Sequence, residues 1–148
     1  MGTMREGKKV GFTAGAFDLC HAGHMLMFEE AKEQCEYLVV ALQSDPSLDR
    51  PTKNKPIMSL KERMIILKGI KYIDEIVVYD TEADLRKLLS ENTLGIDVRI
   101  LGVEYKGKKY TGDDLPMPVY FNTRDHGFST TELRERVYEA EKLKREGN

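Results

Sequence analysis

The stretch GAFDLCHAGHMLMFEEAK, residues 15–32, sets two of the chain's three histidines three residues apart, between an apolar run and a helical pattern. Upstream, KKVGFTAG (8–15) has the composition of a strand. Downstream, a helix is expected over 22–35, with Met27, Phe28, Ala31 and Cys35 on its buried stripe. A strand that turns directly into a helix opens an α/β unit, and the rest of the chain repeats that alternation. YLVVALQS (37–44) is a continuous apolar run of strand length, suited to a parallel strand covered on both faces. DPSLDRPTKNKPIM (45–58) has three prolines and no periodicity, and reads as a loop long enough to suspect a function. Ser59 and Glu62 form a capping-box signature for a helix through Ile70, with Leu60, Met64 and Leu67 inward.

IDEIVVYD (73–80) reads as a third strand. Thr81 starts a helix carrying Leu85, Leu88 and Leu89, ending near Asn92 and Gly95. IDVRILGV (96–103) is a fourth strand and MPVYFN (117–122) a fifth. The last helix opens at Ser129, which forms a second capping-box signature with Glu132. Leu133, Val137 and Ala140 are its apolar stripe, and residues 138–148 are expected to fray. The fold class is therefore α/β: a Rossmann-like, doubly wound, five-stranded, mostly parallel sheet with helices on both faces. One domain over 1–148, with its core at about 10–137, accounts for the length.

Composition narrows the function classes. A hydrophobic fraction of 41% and a charged fraction of 32% describe a soluble globular protein. The net charge of −2 gives no electrostatic reason for nucleic-acid binding. No apolar run approaches a membrane span, and MGTMREGKK is not a secretory signal. The two cysteines, Cys20 and Cys35, make no disulfide framework and read as reduced thiols in a cytoplasmic protein.

In doubly wound sheets ligands sit beyond the carboxyl ends of the strands. The chain's polar oddities follow strands in the same way: His21 and His24 after the first, Lys53 and Lys55 after the second, GVEYKG after the fourth, and residues 124–131 after the fifth. For the histidines three readings are open. Zinc needs three or four ligands, and no fourth is spaced to join Cys20, His21 and His24. A structural role has to explain two imidazoles with Gly23 between them. Phosphate binding fits best, because a helix N-terminus presents free N–H groups and a favourable dipole, and imidazoles add donors.

GAFDLCHAGH resembles the signature of the HxGH nucleotidyltransferase superfamily in its cytidylyltransferase branch, matching G-x-F-D-x-x-H-x-G-H at Gly15, Phe17, Asp18, His21, Gly23 and His24. RDHGFSTTEL is similar to that family's R-T-E-G-I-S-T-T stretch at Arg124, Gly127, Ser129, Thr130 and Thr131. SLKERMIILKGIKYIDEIV looks like its linking segment. The nearest small members by this likeness are the glycerol-3-phosphate cytidylyltransferases.

The resemblance implies a pyrophosphate-releasing transferase that joins CTP to a small phosphorylated alcohol, glycerol 3-phosphate first among them. Its product is a CDP-alcohol for cell-surface polymer synthesis. It implies catalytic roles for His21, His24, Lys55 and Arg124. The nucleotide is expected on Gly15, Ala16, Phe17, Asp18, Gly23, Lys53, Gly102, Tyr105, Ser129 and Thr130, with Asp18 orienting its loop. Lys53 and Arg63 are expected at the acceptor, an exposed helix charge being an equal reading of Arg63. Magnesium is expected on the nucleotide phosphates with no protein ligand, and a homodimer is expected. GVEYKG departs from the Gly-Asp-Asp-Trp of the glycerol-phosphate enzymes, and GVEYKGKKYTGDDLP also resembles the adenylyl-transferring heptose-phosphate branch, which has an aromatic at a similar place. Adenylyl transfer to a sugar phosphate is thus the first alternative, and a nucleotide-binding sensor without turnover the second. His126 stands at an unmatched position and reads as a surface residue.

Overall fold

A computed structural model describes residues 5–147. The first residues of MGTMREGKK and the last residue of the expected domain lie outside that range. Five strands, β1 (Val10–Gly15), β2 (Tyr37–Gln43), β3 (Glu75–Tyr79), β4 (Val98–Gly102) and β5 (Val119–Asn122), form one sheet in the order β3-β2-β1-β4-β5. Every pairing is parallel, so the sheet is wholly rather than mostly parallel. The helices are α1 (Ala22–Glu33), α2 (Leu60–Lys68), α3 (Glu82–Glu91) and α4 (Thr130–Glu146).

β2 lies at depth in the sheet, and all seven of its residues are buried. That is why its sequence shows no alternation. The two faces bury different sets. Val10, Phe12, Val39, Ala41 and Tyr79 pack against Leu85 and Leu89 of α3. Leu38, Val40, Leu42 and Ile100 pack on the other face with Phe28 and Ala31 of α1 and Leu67 of α2. The winding reverses between β1 and β4, where a doubly wound sheet opens its ligand crevice.

The capping box at Ser59 and Glu62 is present, and Thr81 makes another with Asp84. At α4 it is half made: Ser129 Oγ accepts from Glu132 N at 3.0 Å, with no return bond from the Glu132 side chain. Two expectations for α4 are corrected. The helix runs on to Glu146 rather than fraying over 138–148. Its apolar stripe does not reach the core, since Val137 is 61% exposed and no α4 residue is buried, because among the described residues no other element covers that face. Among the described residues no helix is long and apolar enough to cross a membrane.

Candidate functional site

β1 ends at Gly15, and the chain must turn sharply to start α1 seven residues later. Phe17 and Leu19 both take left-handed backbone conformations, φ 50° each. For non-glycine residues this costs roughly 1–3 kcal/mol apiece, so the surroundings must impose it. Asp18, between them, supplies part of that restraint: its carboxylate accepts from Ile57 N at 2.8 Å and Met58 N at 2.9 Å. The 45–58 loop is thereby tied to the β1–α1 turn. The Phe17 ring packs against Phe28 and meets the edge of His24, with centroids 5.3 and 5.9 Å away.

His21 is the N-cap of α1. Its Nδ1 accepts from Gly23 N at 3.0 Å, and His24 Nδ1 accepts from His21 N at 3.1 Å. An imidazole that accepts at Nδ1 is neutral and carries its proton on Nε2. Burial holds both histidines in that form. It pushes His24 down to about 4, helped by the neighbouring His21, and lowers His21 as well, with His126 and Arg124 adding to the effect. His21 Nε2 lies 3.1 Å from Thr130 Oγ1 and donates to it, leaving the Thr130 hydroxyl proton for the cavity.

That contact joins the first turn of α4 to the start of α1, so two helix N-termini converge on one spot. Positive helix ends and free N–H groups held together in this way make an anion site. Gly23 is part of the fit: a Cβ there would stand 2.9 Å from the rings of both His21 and His126. His126 is therefore half-buried against α1's first turn rather than a surface residue. Its Nδ1 accepts from Phe128 N at 3.1 Å, which leaves Nε2 as its remaining polar atom.

Arg124 arrives in a left-handed conformation, φ 48°, with its guanidinium 3.5 Å from the Glu104 carboxylate. Both side chains are about half exposed, at 47% and 45%. Such a pair is worth no more than about 1 kcal/mol, so a phosphate can take Glu104's place. Glu104 itself folds over Gly102, where a Cβ would come within 2.3 Å of its carboxylate.

His21, Gly23, His24, Glu104, Arg124, His126 and Thr130 line one cavity of about 1150 Å³ along the carboxyl edge of the sheet. Gly15, Ala16, Phe17, Gly102, Tyr105, Ser129 and Lys53 line it too. Three expected residues do not join them, the first being Asp18, whose carboxylate is turned to Ile57 N and Met58 N. Lys55 is exposed and outside the lining, its charge acting on Asp45 instead. Arg63 is 2% exposed, which overturns both the acceptor contact and the exposed charge expected of it. Its guanidinium donates to Met58, Ala16, Gln43 and Ser44 carbonyls at 2.6–3.1 Å, clasping the β1 turn, the end of β2 and the start of α2.

The opposite wall of the cavity was not anticipated. Gln43, Tyr79, Glu82, Arg99 and Thr111 line it on the α3 face. One signal was present in the sequence: Arg99 is a charge inside an apolar run of a strand expected to be covered on both faces. Asn122, at the end of β5, also lines the cavity, and its Oδ1 is buried with no partner. Among the described residues no three imidazole, thiol or carboxylate groups converge to hold a metal ion.

The family model described as Cytidylyltransferase-like matches residues 12–136. The chain is 36% identical over 134 residues to Bifunctional protein HldE of Campylobacter concisus, an alignment that spans 90% of this chain and 28% of that protein. Its counterpart in Paramagnetospirillum magneticum is 39% identical over 114 residues, or 75% of this chain and 22% of the relative. The chain thus spans under a third of the curated relatives it matches. Among solved structures, the lipopolysaccharide core biosynthesis protein from Thermoplasma volcanium superposes with a TM-score of 0.57 at 23% identity, over 90% of this chain and 89% of that one. This last likeness bears on the fold alone.

Proposed function

Since the chain belongs to the cytidylyltransferase-like family of nucleotidyltransferases, we propose that its cavity binds CTP and transfers the cytidylyl group to a small phosphorylated alcohol, releasing pyrophosphate. The observation that carries this reading is the convergence of two helix N-termini through His21 and Thr130, with imidazole Nε2–H groups beside them. An oxygen of the acceptor phosphate attacks the α-phosphorus of CTP. A new P–O bond forms there as the bond to the bridging oxygen breaks, and the electron pair leaves with pyrophosphate. The step transfers no proton from the enzyme, so donors that stay neutral suit it.

His24 offers its Nε2–H, and His21 orients the Thr130 hydroxyl, toward oxygens that gain charge in the pentacoordinate state. Arg124 exchanges Glu104 for a phosphate and holds it with a planar fork. His126 adds a further ring nitrogen to the same neighbourhood. Magnesium belongs to the proposal through the triphosphate, whose oxygens would hold it. Lys53 remains on the acceptor side of the proposal, and glycerol 3-phosphate is the smallest acceptor of the class. A CDP-alcohol for a cell-surface polymer is the product that goes with it. A homodimer and a cytoplasmic setting belong to the same reading. The exposed apolar residues Val137, Tyr138 and Leu143 on α4 are the surface such a dimer would cover.

Adenylyl transfer to a sugar phosphate is a second reading, favoured by the aromatic Tyr105 at the cavity mouth. One experiment separates the two: pyrophosphate release from each of four nucleoside triphosphates against a panel of phosphorylated alcohols and sugars. CTP should give the highest kcat/KM. ATP at equal or higher kcat/KM would favour the second reading, and binding without release would identify a sensor.

A further inference from the structure

On the α3 face of the sheet the cavity continues beneath the segment that follows β4. Its floor holds a cation with almost nothing to bind. Arg99 stands three residues before Gly102, so it lies about 10 Å below the strand's end at ~3.3 Å per residue. It is 5% exposed. Its guanidinium makes one hydrogen bond among the described residues, to the Thr111 carbonyl, and lies over the Tyr110 ring at 5.2 Å. No carboxylate is within ion-pair distance of it among those residues.

The nearby acid is engaged elsewhere. Glu82 accepts from Thr111 Oγ1 at 2.9 Å and from Gln43 Nε2 at 3.4 Å, and stands 3.7 Å from Arg50. The Tyr79 hydroxyl donates to Gln43 Oε1 at 3.5 Å. Arg50, Lys53 and Arg99 line the cavity with Glu82, and Arg50 is the cation paired with it. None of the Arg99 nitrogens is a buried atom without a partner, so the unspent N–H groups open on the cavity, where an anion can use them. The planar fork matches a carboxylate.

We propose that this lobe receives the far end of the acceptor, and that the acceptor is a phosphorylated polyol acid whose carboxylate pairs with Arg99. Its phosphate reacts at the histidines, and its hydroxyls meet Glu82, Gln43 and Tyr79 in between. This rests on the nucleotidyl-transfer reading above and narrows it, because glycerol 3-phosphate has a neutral far end and leaves Arg99 unpaired.

The test compares gluconate 6-phosphate with glucitol 6-phosphate, which differ only in the terminal carboxylate. Their binding is measured by calorimetry on the full chain, saturated with a CTP analogue carrying a methylene bridge between the α- and β-phosphorus. The wild-type protein should prefer gluconate 6-phosphate by at least about tenfold. Arg99→Met should weaken that ligand by about 10- to 150-fold and glucitol 6-phosphate by less than about threefold, with analogue binding unchanged. Arg99→Lys, which keeps the charge and loses the fork, should fall between. Equal affinities for the two ligands in the wild type, or equal losses in Arg99→Met, overturn the inference while CTP binding and pyrophosphate release leave the broader reading standing. If the CTP analogue itself does not bind, both fall.

Discussion

Two arginines on opposite faces of the sheet show how differently a buried charge can be used. Arg63 is 2% exposed and Arg99 5%. Arg63 spends its guanidinium on four main-chain carbonyls from three segments. Arg99 spends one bond on Thr111 and faces a cavity. A cation whose donors are spent on the main chain holds structure together; one whose donors open on a cavity adds little and is free for a ligand.

The sharpest way to break this contrast is through stability. Arg63→Met should cost about 3–4 kcal/mol in urea denaturation, because one buried and three part-buried carbonyls lose a charged donor. Arg99→Met should cost no more than about 1 kcal/mol, because it removes one hydrogen bond and one ring contact while the other donors open on the cavity. If both variants lose the same stability, the contrast fails.

The histidine end of the cavity predicts the reverse profile, with large kinetic and small structural effects. His24→Ala should lower single-turnover transfer by about 10²–10³, as for a lost oxyanion-type donor, with little change in melting temperature. Near-normal turnover in a readily unfolding variant would instead mark His24 as structural. Arg124→Lys should cost about 10- to 150-fold in kcat/KM, since the charge remains and the fork is lost. Normal turnover in Arg124→Ala would reduce the segment around Ser129 to a helix cap.

The smallest effect is on pH dependence. Unfolded histidine titrates near 6.5 and folded His24 near 4, so between those values the unfolded state binds more protons. The stability tied to His24 is complete above about pH 6.5 and is lost as pH falls toward 4. His24→Gln should flatten the melting-temperature profile over that window, and an unchanged slope would place the titration elsewhere.

How much of this was legible differs between the two regions. The histidine end could be read directly, because its residues are local to one turn and one helix start, and because the Ser129 segment carries its own capping signal. The strands were legible as apolar runs. Arg63 was not, although Leu60, Met64 and Leu67 were placed inward and Arg63 falls on that same helical face. The clasp it makes depends on carbonyls from Ala16 and Gln43, which no local pattern brings together. The Arg99 lobe was missed for a related reason: its partners come from β2, α3 and the segment after β4, so it exists only in three dimensions. The α4 stripe misled because an apolar spacing shows which side of a helix is greasy, and nothing about whether another element covers it.

The central claim is that a triphosphate meets the neutral Nε2–H of His24 and the Thr130 hydroxyl that neutral His21 orients, at two converging helix N-termini. Long-range ¹⁵N spectra of the imidazoles at pH 7, recorded with and without CTP and magnesium, test it most directly. Both rings should be neutral with the proton on Nε2 in the free protein, and CTP should shift the His24 Nε2–H downfield while Nδ1 stays an acceptor. Protonated rings, protons on Nδ1, or signals indifferent to saturating CTP would contradict it.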